Sequence, residues 1–312
     1  MIDKLTTFVN RWDSILFPNV NIYNQGLSTR QLIILFFVFL FSFSLLGLFL
    51  QPGGYIGFDW VNFFSQGRIP PFYPPWGKVI IQLLSWPLLI GITLASFGIA
   101  AIRRSVHPVS LVVSFFALPL LWTIFLGQLE GVSLFGLLWM PWLIPFALIK
   151  PQVAIFAFLA KKKYLLFLVL FLLISLLIWG LWPIDTLNVE SFYAEGRYTQ
   201  NIGLGWWGLP IALLMMWKSR GDMDMLMLSG CFFLPHLISY NLLPLTPAIA
   251  RLSPKRAFVA FFLSWTPFLA NYIGPIGWWF GWLFILWLWI GLASKRHSEF
   301  KIIQILKLSK KQ

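Results

Sequence analysis

Apolar residues in this chain neither alternate nor thin out at amphipathic spacing; they run on. The stretches 32–50, 79–101 and 164–182 are almost unbroken in apolar character, and each is long enough to cross a hydrocarbon core of about 30 Å. A membrane β-barrel would instead alternate with period two in runs of about ten residues. The pattern therefore predicts an all-α, polytopic membrane protein. Followed along the whole chain it predicts ten crossings, at 32–50, 77–101, 108–126, 131–160, 164–182, 205–217, 223–237, 241–251, 257–273 and 276–294. Some of these are broken. The segment 131–160 holds Pro141, Pro145 and Pro151, and as one straight helix it would be about 45 Å long, so it must kink, tilt or re-enter. The segment 223–251 holds Pro235, Pro244 and Pro247 and reads as two short crossings. Broken backbone at membrane depth is tolerated only where protein buries it or where it lines a cavity, so a polar cavity is expected near these breaks, open to the outside.

The polar positions divide the chain into an N-terminal segment 1–31, a single transmembrane domain 32–294 and a basic tail 295–312. In the first of these, Leu5, Phe8, Val9, Trp12, Ile15 and Leu16 recur at helical spacing, the mark of an amphipathic helix lying on the inner surface. Two outer loops are long, 51–76 and 183–204. Within the first, the stretch from Asp59 to Gly67 predicts a short interfacial helix with Trp60, Phe63 and Phe64 on one face. Asp59 is expected at its N-cap and Gly67 as its terminator. Tyr73, Pro74, Pro75 and Trp76 then return the chain to the membrane.

Composition sharpens this picture. Charged residues make up 11% of the chain, against about 25% in soluble domains, which leaves no soluble domain. The formal net charge of +13 is a property shared with nucleic-acid binders, but its placement points elsewhere. With the N-terminus inside, Lys4, Arg11, Arg30, Arg103, Arg104, Lys161 to Lys163, Lys218, Arg220, Arg251, Lys255, Arg256 and the tail all fall inside, as the positive-inside rule requires. The basic excess is thus a topology signal and an attraction to anionic lipid, with no nucleic acid implied. A multi-pass protein of the plasma (inner) membrane with both termini cytoplasmic is expected. The single cysteine, Cys231, excludes an internal disulfide.

A few residues stand out as candidate chemistry. Asp59 is a carboxylate just beyond the first crossing, with capping and proton transfer as competing roles for one side chain. Gln128 and Glu130 lie at a glycine-bounded outer turn, where they either face water and headgroups or line a site. Lys150 sits in an apolar stretch, where an unpaired lysine costs about 2.5–3.5 kcal/mol on insertion scales; it either snorkels or lines a polar site that holds an anion. His236 and Tyr240 share a helical face. Arg197 is one of few outer cations and can pair with Glu190 or Glu195 or clamp a phosphate. No metal-ligand spacing, phosphate loop or nucleophilic triad is present, so no metal or other cofactor is expected.

An acid after the first span, a Tyr-Pro-Pro at 73–75, a Gly-Gln at 127–128, a Lys-Pro at 150–151 and a Pro-His at 235–236 with Tyr240 following occur in that order. In this the chain resembles the GT-C class of integral membrane glycosyltransferases. It is most similar to glycosyltransferase family 87, which includes polyprenyl-phosphate-mannose-dependent mannosyltransferases, in a shortened form whose Gly-Gln and Lys-Pro elements stand closer together than in the family. The resemblance implies a GT-C-like fold. It also implies transfer of a hexose such as mannose from a polyprenyl-phosphate donor to a lipid-linked or surface glycan acceptor, on the extracytoplasmic face. The expected reaction is inverting and metal-independent, with Asp59 as general base. Lys150, Arg197 and His236 are expected to hold the donor phosphate, and Tyr73, Gln128, Glu130 and Tyr240 to line the cavity. A transporter or lipid flippase, and a non-catalytic scaffold derived from the same fold, are the alternatives.

Overall fold

The computed structural model describes residues 27–69, 73–187 and 200–294. Most of the N-terminal amphipathic segment, the basic tail, and the part of the second outer loop that carries Glu190, Glu195 and Arg197 lie outside the described residues.

The described residues are predominantly helical. Among the described residues the one β contact is an isolated bridge between Gly53 and Ile56. In chain order the principal helices are α1 (Thr29–Phe49), α2 (Pro75–Gln82), α3 (Trp86–Arg104), α4 (Pro108–Leu126), α5 (Glu130–Leu138), α6 (Lys162–Trp179), α7 (Leu209–Ser219), α8 (Met223–Gly230), α9 (Ser239–Arg251), α10 (Pro254–Trp265) and α11 (Pro275–Ser294). Five of them, α1, α3, α4, α6 and α11, are long and apolar enough to cross a membrane. The remaining stretches expected to cross form shorter helices, so five of the ten expected crossings have a helix of spanning length among the described residues. The stretch 77–101 is interrupted at 83–85, where Ser85 caps α3 by accepting from the Leu88 N–H. The stretch 131–160 breaks into α5 and the short helices Ile144–Ala147, Pro151–Ala154 and Ile155–Ala160.

The core runs along α3 and α9. α3 is buried over most of its length, whereas α1 and α6 expose most of theirs, with Phe41, Phe49 and Leu177 facing outward as lipid-facing side chains do. α1 lies closely along α3 because glycines leave room between them. A Cβ at Gly91 would stand 2.1 Å from Ser44 Oγ and 2.9 Å from the Leu40 carbonyl oxygen, and this is how small residues let membrane helices approach.

α9 is a 3₁₀ helix of 13 residues with Pro244 and Pro247 inside it. Each proline lacks an N–H donor and clashes with the carbonyl four residues back in an α-helix, which favours the tighter spiral. Such runs rarely exceed three or four residues. This one persists because α3, both halves of α4, and α5 pack around it and nearly every residue in it is buried. At about 2.0 Å per residue it is about 26 Å long, close to the roughly 28 Å of the 19-residue α3 at 1.5 Å per residue.

The far ends of α3 and α9 meet in a buried ionic cluster. Arg104 donates to Asp224 from Nη2 at 2.9 Å, and Arg251 donates to Asp224 at 2.9 Å and to Asp222 at 2.7 Å. Asp222 also caps α8 by accepting from the Met225 N–H. The near ends of the same two helices frame the second polar cluster.

Candidate functional site

The first loop is fixed to the end of α4 before any functional side chain is placed. The Gly57 N–H donates to the Phe125 carbonyl at 2.6 Å. Gly127 ends α4 at φ 73, a left-handed cap that suits glycine. A Cβ there would stand 2.7 Å from Trp60 Cβ and 3.2 Å from Gly57 Cα, so only glycine lets the two segments touch. The loop then winds into a π-turn, Trp60–Phe64, closed by the Ser65 N–H on the Trp60 carbonyl. Trp60 and Phe64 are buried, Trp60 against Trp86 and Phe64 edge-on to Tyr73. These anchors present Asp59, half-buried, toward Gln128.

Asp59 does not cap. Its own backbone is already helical and its carboxylate makes no capping bond; it accepts from Gln128 Nε2 instead. Asp59 thus stands at the expected N-cap position of Trp60–Phe64, and what is corrected is the expected capping bond from its side chain. Gly67 does terminate the turn, with φ 68 and the Arg68 N–H on the Phe63 carbonyl.

Gln128 and Glu130 do not face water. Gln128 is 6% exposed and Glu130 1% exposed. α5 is drawn inward because Gly131 sits against α3, where a Cβ would stand 2.1 Å from Thr93 Oγ1. Lys150 reaches the same point from the break between Ile144–Ala147 and Pro151–Ala154. The Ser133 hydroxyl donates to the Ala147 carbonyl at 2.7 Å and the Trp76 indole to the Pro145 carbonyl at 2.9 Å, which ties the broken segment to α5 and α2. Lys150 Nζ donates to Gln128 Oε1 at 2.8 Å and pairs with Glu130 Oε1 at 3.2 Å. The Tyr73 and Tyr240 rings each lie 5.2 Å from the same ammonium. Lys150 therefore does not snorkel. It is buried and compensated, as an interior charge must be.

The remaining pieces come from the second broken region. Asn241 donates from Nδ2 to Glu130 Oε1 at 2.8 Å. His236 lies within electrostatic reach of Lys150, and Tyr240 within reach of Lys150, Glu130, Tyr73 and Asp59. His236 rides on an extended segment, 234–238, whose backbone is satisfied by 201–205. The Ile202 N–H donates to the Leu237 carbonyl at 2.9 Å and the Gly205 N–H to the Leu234 carbonyl at 3.0 Å. Asn201 completes the junction, accepting from the Leu237 N–H at 2.8 Å and donating to the Pro235 carbonyl at 3.0 Å.

The structure thus gathers Asp59, Tyr73, Gln128, Glu130, Lys150, His236 and Tyr240 around one ammonium. Arg197 lies outside the described residues. Sequence reasoning missed Asn241 and Asn201; the only signal for either was an amide beside an interrupted apolar run. One oxygen of the cluster, Glu130 Oε2, is buried without a hydrogen-bond partner. Among the described residues no group of three or more His, Cys, Asp or Glu side chains is placed to hold a metal ion. An apolar groove of about 630 Å³ is lined by Leu50, Phe58, Trp122, Phe125, Trp265 and Phe268 among others; Phe58 is the chain neighbour of Asp59. Comparison of the chain with protein-family models, curated proteins and solved structures finds no match, so what this site does is argued from its own geometry.

Proposed function

We propose that the chain is an extracytoplasmic glycosyltransferase of GT-C type, moving a hexose from a polyprenyl-phosphate carrier to a lipid-linked or surface glycan, with Asp59 as general base. The observation that carries this is Asp59 itself: half-exposed, making no capping bond and held by Gln128 at the edge of a buried polar cluster built around Lys150. In the reaction the acceptor hydroxyl oxygen bonds to the anomeric carbon as the bond from that carbon to the phosphate oxygen breaks. The hydroxyl proton goes to Asp59, the electron pair of the broken bond leaves with the polyprenyl phosphate, and the anomeric centre inverts.

The leaving phosphate gains negative charge, which cations at the site stabilise. Two N–H groups of Lys150 are committed to Gln128 and Glu130, so Lys150 contributes its third, with His236 as a hydrogen-bonding partner of the phosphate and Arg197 as the further cation expected from the sequence. The apolar groove beside Phe58 supports a donor whose chain is already lipid. The same features support a plasma-membrane protein with its site outside and its arginine-rich end in the cytoplasm.

The test is transfer in membranes given a panel of polyprenyl-phosphate sugars. Asp59→Asn is expected to lower transfer about 100- to 10,000-fold, the range for loss of a general base, with the protein still present at its usual level. Full activity in that variant overturns the assignment. A buried Lys150–Glu130 pair between interrupted helices also suits a transporter or lipid flippase. Flipping in proteoliposomes without a sugar donor would favour that reading.

A further inference from the structure

We propose that Gln128 is the positioning residue of this site, its side-chain amide fixing the Asp59 carboxylate and coupling it to the charge of Lys150. An ammonium can only donate and a carboxylate can only accept. Gln128 stands between one of each: Lys150 Nζ donates to Oε1 at 2.8 Å, and Nε2 donates to Asp59. Only one orientation of the amide satisfies both neighbours. Lys150 draws electron density toward Oε1, which makes Nε2–H a better donor to the carboxylate. Gln128 cannot easily turn away, because it is buried and follows the glycine cap that locks α4 to the first loop.

Several described groups bear on Asp59. From the broken segment comes Lys150, and from α9 Tyr240, both in electrostatic contact with it. Glu130, from α5, is paired to Lys150 and so masks part of its charge. Tyr73, just before α2, lies against the lysine, and His236, on the extended segment, is within its electrostatic reach. Gln128 is hydrogen-bonded to both the lysine and the carboxylate, so it adds a bonded link to the direct electrostatic one. A hydrogen bond to the charged form of a carboxylate holds it ionised, and this one also aims it.

The inference rests on Asp59 as the base, and the experiment separates the two claims. The full-length protein in lipid is titrated while the Asp59 carboxyl is followed by infrared difference spectroscopy, its band assigned by loss in Asp59→Asn. Gln128→Ala is expected to raise the Asp59 titration midpoint by about one pH unit, since a bond to the ionised form is lost. Gln128→Glu, nearly isosteric, keeps an acceptor for Lys150 but sets a second carboxylate against Asp59, and is expected to raise the midpoint further. Loosened packing alone would not order the two variants in this way. A midpoint unchanged in Gln128→Glu overturns the positioning role, and that variant preserves volume if Gln128→Ala does not fold. Transfer from polyprenyl-phosphate mannose by Asp59→Asn tests the base independently. Undiminished transfer there, beside shifted midpoints in the Gln128 variants, removes the catalytic role of Asp59 and leaves the coupling standing.

Discussion

Lys150 shows how much a single side chain can organise. It meets Glu130, Gln128, Tyr73 and Tyr240 at once, and no water-facing route offsets the cost of burying its charge. Removing one partner of a buried pair leaves the other uncompensated, which costs about 3–5 kcal/mol. Lys150→Met and Glu130→Gln are each expected to destabilise the protein by about that amount, and the double variant by clearly less than the sum, read as melting temperature in detergent. Additive losses would mean that the pair is not coupled. Lys150 stood out in the sequence because a charge set in an apolar run is expensive and therefore conspicuous, and Asp59 because it is a carboxylate just beyond the first apolar run. The burial of Glu130 was not legible. An outer turn is ordinarily wet, and what draws this one inward is the contact of Gly131 with Thr93, which leaves no trace in local pattern. Asn241 was hidden for the same reason, since its partner Glu130 lies 111 positions away.

At the scale of elements, proline marked the right places but not what would be built there. The breaks at 131–160 and 223–251 were expected, yet nothing in their periodicity showed that 239–251 would wind as 3₁₀; that is decided by the helices packed around it. Nor was it legible that 234–238 would run extended, because its backbone bonds go to 201–205 across the fold. Asn201 is the staple of that junction, with bonds to Leu237, Pro235 and Gly203. Asn201→Ala removes all three and leaves backbone groups poorly satisfied, a cost of about 1–3 kcal/mol for each buried group that finds no new partner. Hydrogen exchange should report it locally: faster exchange at the Leu237 and Gly203 amides, with the amides of α3 unchanged. Uniform acceleration across the molecule would instead make Asn201 part of the global core.

The whole molecule has two polar ends separated by one apolar thickness. α3 and α9 each extend about 26–28 Å, near the roughly 30 Å of a hydrocarbon core. Asp59, Gln128, Glu130 and Lys150 gather at one end of this pair, and Arg104, Arg251, Asp222 and Asp224 at the other. The positive-inside rule leads us to expect the arginine end in the cytoplasm, and the proposed chemistry needs that orientation, since its donor is presented outside. Cys231 is fully buried, so a membrane-impermeant maleimide has little native background to contend with. Gln66→Cys, on the exposed face of the first loop, and Lys218→Cys, exposed at the end of α7, report the two sides separately. Gln66→Cys is expected to label in intact cells, and Lys218→Cys only after permeabilisation. The reverse result would turn the cluster toward the cytoplasm. Asp59 would then keep its geometry but lose access to an extracytoplasmic polyprenyl-phosphate donor, and the buried ion pair would be better explained by transport.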